Sequence, residues 1–69
     1  MERKPVCKLV GSNGNIFNLL GIASRALKRA GMKNEATEMS NRVFSSESYE
    51  EALSIILEYV DDETMVEDD

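Results

Sequence analysis

The sequence contains no histidine and a single cysteine, Cys7. These shortages exclude an intramolecular disulfide, a zinc site built from Cys and His, and catalysis by a Ser-His or Cys-His pair. A free cysteine usually packs as a small hydrophobic residue, and Cys7 is interpreted in that way. No cofactor and no metal site is therefore expected.

Long hydrophobic runs are also missing. No apolar run approaches the ~18 residues that a membrane span needs, and the first ten residues, MERKPVCKLV, lack the hydrophobic core of a signal peptide. A cytoplasmic protein without membrane association is the expectation. The 69 residues allow one small domain.

The net charge of −5 is unevenly divided along the chain. Residues 1–33 hold seven Lys or Arg and one acid, whereas residues 34–69 hold one Arg and twelve acids, so the two parts carry +6 and −11. Because opposite charges attract, we expect folding to bring part of the acidic half near the basic residues.

The stretch from Asn15 to Gly31 is the strongest helix signal. Asn15 can cap its first turn, and Gly31 can supply the left-handed residue that ends a helix. Its apolar arc spans about 220° at 100° per residue, which is wide enough for contact with several other elements. Three cations share a narrow stripe outside this arc, Arg25, Lys28 and Arg29.

A short strand over 6–10 is predicted before this helix, because Val6, Leu9 and Val10 follow Pro5 and precede a glycine. The connection to the helix is a glycine-rich turn. Such a turn can bind an anion through converging N–H groups, but this one lacks the P-loop pattern, so a structural turn is the favoured interpretation. The candidate anion-binding residues are Gly11, Ser12, Asn13, Gly14 and Asn15.

Two further helices follow. Asn34 is predicted to cap a second helix over 35–44, whose narrow apolar face consists of Ala36, Met39 and Val43. Ser48 begins a capping box, S-x-x-E, that predicts a third helix. The apolar positions of this third helix are Tyr49, Ala52, Leu53, Ile55, Ile56, Leu57, Tyr59 and Val60.

After residue 60 the composition changes, since six of the last nine residues are acidic. We expect residues 62–69 to form an acidic disordered tail, because so few apolar groups cannot offset the entropy of ordering. The resulting fold class is mainly α, a small α+β domain over 1–61. It consists of a short N-terminal strand followed by three helices, with the first helix central.

Two segments, VCKLVGSNGNIFNLLGIASRALKRAG and SYEEALSIILEYV, resemble a family of short, functionally uncharacterised proteins of bacteria, phages and other mobile elements. The resemblance covers about residues 6–60, and this chain departs from the family pattern at Asn13, where Asp is usual, and near Ser46, where Gly is usual. The resemblance implies no activity. The residues that carry it are Gly11, Gly14, Asn15, Phe17, Leu20, Arg25, Ala26, Leu27, Ala30 and Gly31.

No nucleophile-base pair or paired ligand set can be assembled from the sequence, so an enzyme is not expected. The favoured function is a protein-interaction module of phage or mobile-element type. It would bind a protein partner or form a homodimer through one flank of the third helix, Ala52, Ile55 and Tyr59. This expectation arises because the apolar face of the second helix is too narrow to cover the wide apolar faces of both the first and the third helix.

The alternative function is nucleic-acid binding through the basic patch Arg25, Lys28 and Arg29. It is disfavoured because the next helix carries Glu35 and Glu38, which would repel a phosphate backbone. In addition, Phe17 and Phe44 are assigned to the core, which leaves no aromatic platform for bases.

Overall fold

The computed structural model describes residues 4–9 and 15–62. Its elements in chain order are β1 (Val6–Cys7), α1 (Ile16–Arg29), α2 (Lys33–Phe44), α3 (Tyr49–Tyr59) and β2 (Asp61–Asp62). The expected fold class is confirmed: the chain is mainly helical, with a short N-terminal strand before three helices. Helix α1 packs against both other helices and against β1.

Both ends of α1 follow the local sequence signals. The Asn15 side chain accepts a hydrogen bond of 2.8 Å from the backbone N–H of Phe17. At the other end Gly31 has φ of +78°, and the N–H groups of Gly31 and Met32 donate to the carbonyls of Lys28 and Leu27. This is the Schellman arrangement, in which a left-handed glycine satisfies the last carbonyls of a helix.

Helix α2 begins earlier than predicted. It starts at Lys33, and its N-cap residue, Met32, makes no side-chain capping bond, so the assignment of Asn34 as the cap is wrong. The reason is local: the Schellman turn at Gly31 already reverses the chain, and the Met32 carbonyl accepts the Ala36 N–H at 3.0 Å. The predicted apolar face of α2 is confirmed, with Ala36, Met39 and Val43 all buried.

Helix α3 begins at the predicted capping signal. The Ser48 hydroxyl accepts the Glu51 N–H at 3.0 Å, and the Glu51 carboxylate accepts the N–H of Glu47 at 3.1 Å. The reciprocal bond therefore reaches one residue farther than in the standard capping box.

The two short strands pair in parallel, with Val6 opposite Asp61 and Cys7 opposite Asp62. The strand at the N-terminus thus finds its partner directly after α3. It is also shorter than predicted, because β1 ends at Cys7 and not at Val10. Asp62, which was assigned to the tail, lies in β2 and is buried.

Side chains from every helix meet in one core. Its largest fully buried members are Leu27, Met39, Ile56 and Val60. Leu9, which follows β1, is also buried in this core. Residues 63–69, which make up the rest of the predicted tail, lie outside the described residues. No helix in the described part of the chain has the length and apolar character to cross a membrane.

Candidate functional site

Three aromatic side chains lie exposed at one end of the helical bundle and form what we call the aromatic surface: Phe17, Phe44 and Tyr49. Their exposed fractions are 64%, 65% and 46%. The rings of Phe17 and Phe44 face each other with centroids 6.3 Å apart and planes inclined by 39°. A shallow cavity of about 300 Å³ runs between the three side chains, and Ile16, Val43 and Ala52 also line it.

The assignment of Phe17 and Phe44 to the core is therefore wrong. Phe17 lies on the edge of the wide apolar arc of α1, so that it stays outside when the centre of the arc packs inward. Phe44 follows Val43 by one residue and is therefore about 100° away from the buried face of α2. That angular offset is a signal from which the exposure of Phe44 could have been predicted.

The predicted basic patch is exposed as expected, but its three cations are not equivalent. Arg25 and Arg29 line a groove of about 560 Å³ between α1 and β1, which Lys8 lines from the strand side. Lys28 lies outside this groove. We call the site of Lys8, Arg25 and Arg29 the cationic groove.

Within the described part of the chain, the acidic half makes no ion pair with the cations of this groove. Lys8, Arg25 and Arg29 form no ion pair with any described residue. The described ion pair between the two halves involves Lys4, whose Nζ lies 3.9 Å from Oδ1 of Asp61 and donates to the Leu57 carbonyl at 3.0 Å.

The flank of α3 proposed as a partner site is not free in this structure. Ala52 and Ile55 are buried in the core, with 3% and 7% of their surface exposed. Tyr59 is partly buried, and its hydroxyl donates to Oε1 of Glu38 at 3.0 Å. The expectation of an uncovered flank is wrong because α2 covers α3 with polar side chains as well as with its narrow apolar face.

Those polar side chains form a clamp between α2 and α3. The two Nη atoms of Arg42 donate to the two carboxylate oxygens of Glu58 at 2.7 and 3.2 Å, and Nη1 also donates to the Tyr59 hydroxyl at 3.2 Å. The Arg42 guanidinium carbon lies 5.7 Å from the centre of the Tyr59 ring, within reach of a cation–π contact.

This clamp changes the acidity of its members. Hydrogen bonds to Glu58 and Tyr59 raise the pKa of Arg42 above its ordinary value. The hydrogen bond from Arg42 lowers the pKa of Glu58. Both groups are therefore charged at neutral pH. Their exposed, mutually satisfied arrangement is that of a structural contact and leaves no group poised for proton transfer.

Of the predicted glycine-rich anion site, only Asn15 belongs to the described residues. Its side chain caps α1, while Gly11, Ser12, Asn13 and Gly14 lie outside the described residues. Across residues 4–9 and 15–62, no group of three or more Cys, Asp or Glu side chains is arranged to hold a metal ion. Comparison of the chain with protein-family models, curated proteins and solved structures finds no match.

Proposed function

We propose that this chain is a small non-enzymatic protein-interaction module that binds a partner protein through the aromatic surface. The observation that carries the proposal is the exposed pair Phe17 and Phe44, with Tyr49 beside it. Aromatic side chains are enriched at the centres of protein interfaces, where a few buried anchors supply most of the binding energy.

The energetics support this use of the surface. Burying a Phe side chain contributes about 1.5–3 kcal/mol, and the chain leaves two of them mostly in water. The cavity between Phe17, Phe44 and Tyr49 gives a partner side chain a concave place to enter. The surface can thus offer both anchors and a pocket, the two parts of a binding hot spot.

Affinity capture tests the proposal with a double variant, Phe17→Ala and Phe44→Ala, compared with the wild type in an extract of the producing cells. Both side chains are exposed, so we expect the variant to stay folded and to lose the captured partner. A matched control, Lys28→Ala and Lys33→Ala, also removes two exposed side chains from α1 and α2 and should retain it. Equal capture by wild type and the aromatic double variant would contradict the proposal.

Nucleic-acid binding is the second candidate. One observation favours it: the exposed rings of Phe17 and Phe44 provide the aromatic platform that the sequence was expected to lack. The net charge of −5 opposes it through repulsion of phosphates. Titration with single- and double-stranded oligonucleotides at ~50 mM and ~200 mM salt distinguishes nucleic-acid binding from protein binding alone. Binding driven by phosphate contacts should be detected at the lower salt concentration and should weaken steeply at the higher one.

A further inference from the structure

We propose that the cationic groove binds an extended acidic segment of a partner protein, which adds as a strand to the edge of β1 that faces away from β2. The inference rests on the proposed function as a protein-interaction module and assigns the chemistry of a second contact, separate from the aromatic surface. The observations that carry it are the backbone geometry of β1 and the charges that line the groove.

The backbone of β1 leaves one edge directed away from its partner. The N–H of Asp61 donates to the carbonyl of Pro5 at 2.9 Å, and Val6 is the residue opposite Asp61. In a parallel ladder only one residue of each opposite pair bonds to the neighbours of the other, and here that residue is Asp61. The N–H and C=O of Val6 therefore point to the other edge. Among the described residues the sheet has two strands, and the groove lining includes neither residue of β2.

The side chains of the groove fit alternating acids. Arg25 and Arg29 are four residues apart on α1, a separation of about 6 Å along the helix axis. Every second side chain of an extended strand lies on the same face, at intervals of about 6.8 Å. Two acids at positions i and i+2 of a bound strand therefore have nearly the same spacing as the two arginines, while Lys8 adds a third positive charge.

The apolar part of the lining favours a peptide over a nucleic acid. Ile22 and Ala26 line the groove together with the two arginines. They offer an apolar surface to the uncharged side chains of a peptide, whereas a phosphate backbone has no comparable group. A long polyanion also meets the net charge of −5 of the chain, while a short peptide brings only a few charges.

The experiment is a titration of the full chain with a capped octapeptide of alternating Thr and Glu, followed by calorimetry and by amide NMR. We expect saturable binding with shifts at the amides of Val6 and Lys8. Binding should weaken by about fivefold or more in the variant Arg25→Gln, Arg29→Gln, which removes two exposed ion pairs with the peptide. The matched control Lys28→Gln, Lys33→Gln removes the same charge outside the groove and should bind like the wild type.

Two further measurements test the strand addition itself. The variant Val6→Pro removes an N–H that β2 does not use, so it should keep the fold and weaken peptide binding. Two further octapeptides, N-methylated either at the Thr amides or at the Glu amides, test the same backbone bonds without any change in the protein. Only one of these two sets of amides faces β1 in a bound strand, so one of the two peptides should bind less well than its parent. The variant Phe17→Ala, Phe44→Ala should bind the octapeptide normally, so that failure of the groove and failure of the aromatic surface are distinguishable.

The proposal is overturned by any of three results. The first is equal loss of binding in the groove variant and its charge-matched control. The second is equal binding of the parent and both N-methylated peptides. The third is a single-stranded oligonucleotide that binds more tightly than the octapeptide at ~200 mM salt and loses its binding in the Arg25→Gln, Arg29→Gln variant.

Discussion

Leu27 is the residue on which the core depends most directly. It has no exposed surface and lies on helix α1, where side chains of the other helices surround it. We expect Leu27→Ala to reduce the free energy of unfolding by about 2–5 kcal/mol, because the truncated side chain leaves a cavity that a close-packed core cannot fill. For a domain of this size that loss can abolish folding.

Urea unfolding measures this effect, and Lys28→Ala is the matched control. Lys28 is the next residue of the same helix and is exposed, so its replacement should change the free energy by no more than about 0.5 kcal/mol. Equal unfolding midpoints for the two variants would show that α1 is not the centre of the core.

Residue-level interpretation from sequence succeeded at three positions with a local physical cause and failed at a fourth, Asn34, because α2 already begins at Lys33. Asn15 and Ser48 cap helices because their side-chain oxygens accept from N–H groups two or three residues away, and Gly31 adopts the left-handed conformation. Phe17 and Phe44 were misassigned because hydrophobicity alone does not say which part of a wide apolar arc packs inward. That choice depends on where the neighbouring helices lie.

At the scale of elements, the polar clamp between α2 and α3 has a consequence for pH. Glu58 is in the last turn of α3, where the negative end of the helix dipole opposes a carboxylate, and Arg42 offsets that repulsion with two hydrogen bonds. Because the folded state lowers the pKa of Glu58 below its unfolded value of about 4.3, the stabilisation is present above that pH. It is lost as the pH falls through the lower, folded pKa.

The variant Glu58→Gln tests this coupling. The difference in free energy of unfolding between wild type and variant should be larger at pH 7 than in acid, at a pH below the lowered pKa of Glu58 where the wild-type carboxylate is protonated. The same Glu58→Gln change made in an Arg42→Gln background is the control and should lack this pattern, because the hydrogen-bond donor to the carboxylate is then absent. A difference that is the same at both pH values would show that the clamp has no effect on stability.

The elements themselves were largely predictable, and their pairings were not. Local periodicity and capping signals placed all three helices, although α2 begins two residues before its predicted start. The partner of β1 could not be read from the sequence, because Val6 pairs with a residue at the far end of the chain. Asp61 and Asp62 carry no strand signal of their own, and only their position after α3 brings them beside β1.

At the scale of the whole molecule, the parallel pairing of β1 with β2 joins the segment before α1 to the segment after α3, and we call this pairing the closure. The contacts at this closure are the Asp61 N–H bond to Pro5 and the two contacts of Lys4 with Leu57 and Asp61. The backbone spans 16 Å in its shortest direction, so few layers of side chains separate the core from water. The burial of Leu9 and Val60 therefore depends on the strands beside them.

Two truncated chains test this closure. A chain that ends at Asp62 keeps β2 and should melt within a few degrees of the full chain, since the deleted residues are mostly acidic. A chain that ends at Val60 loses both residues of β2 and the bond to Pro5. We expect its midpoint to fall by about 4–8 °C for each kcal/mol of lost contact. Equal melting of the two truncated chains would show that β2 does not stabilise the fold. A large drop already at Asp62 would show instead that residues 63–69 dock on the domain, against the prediction of a dispensable acidic tail.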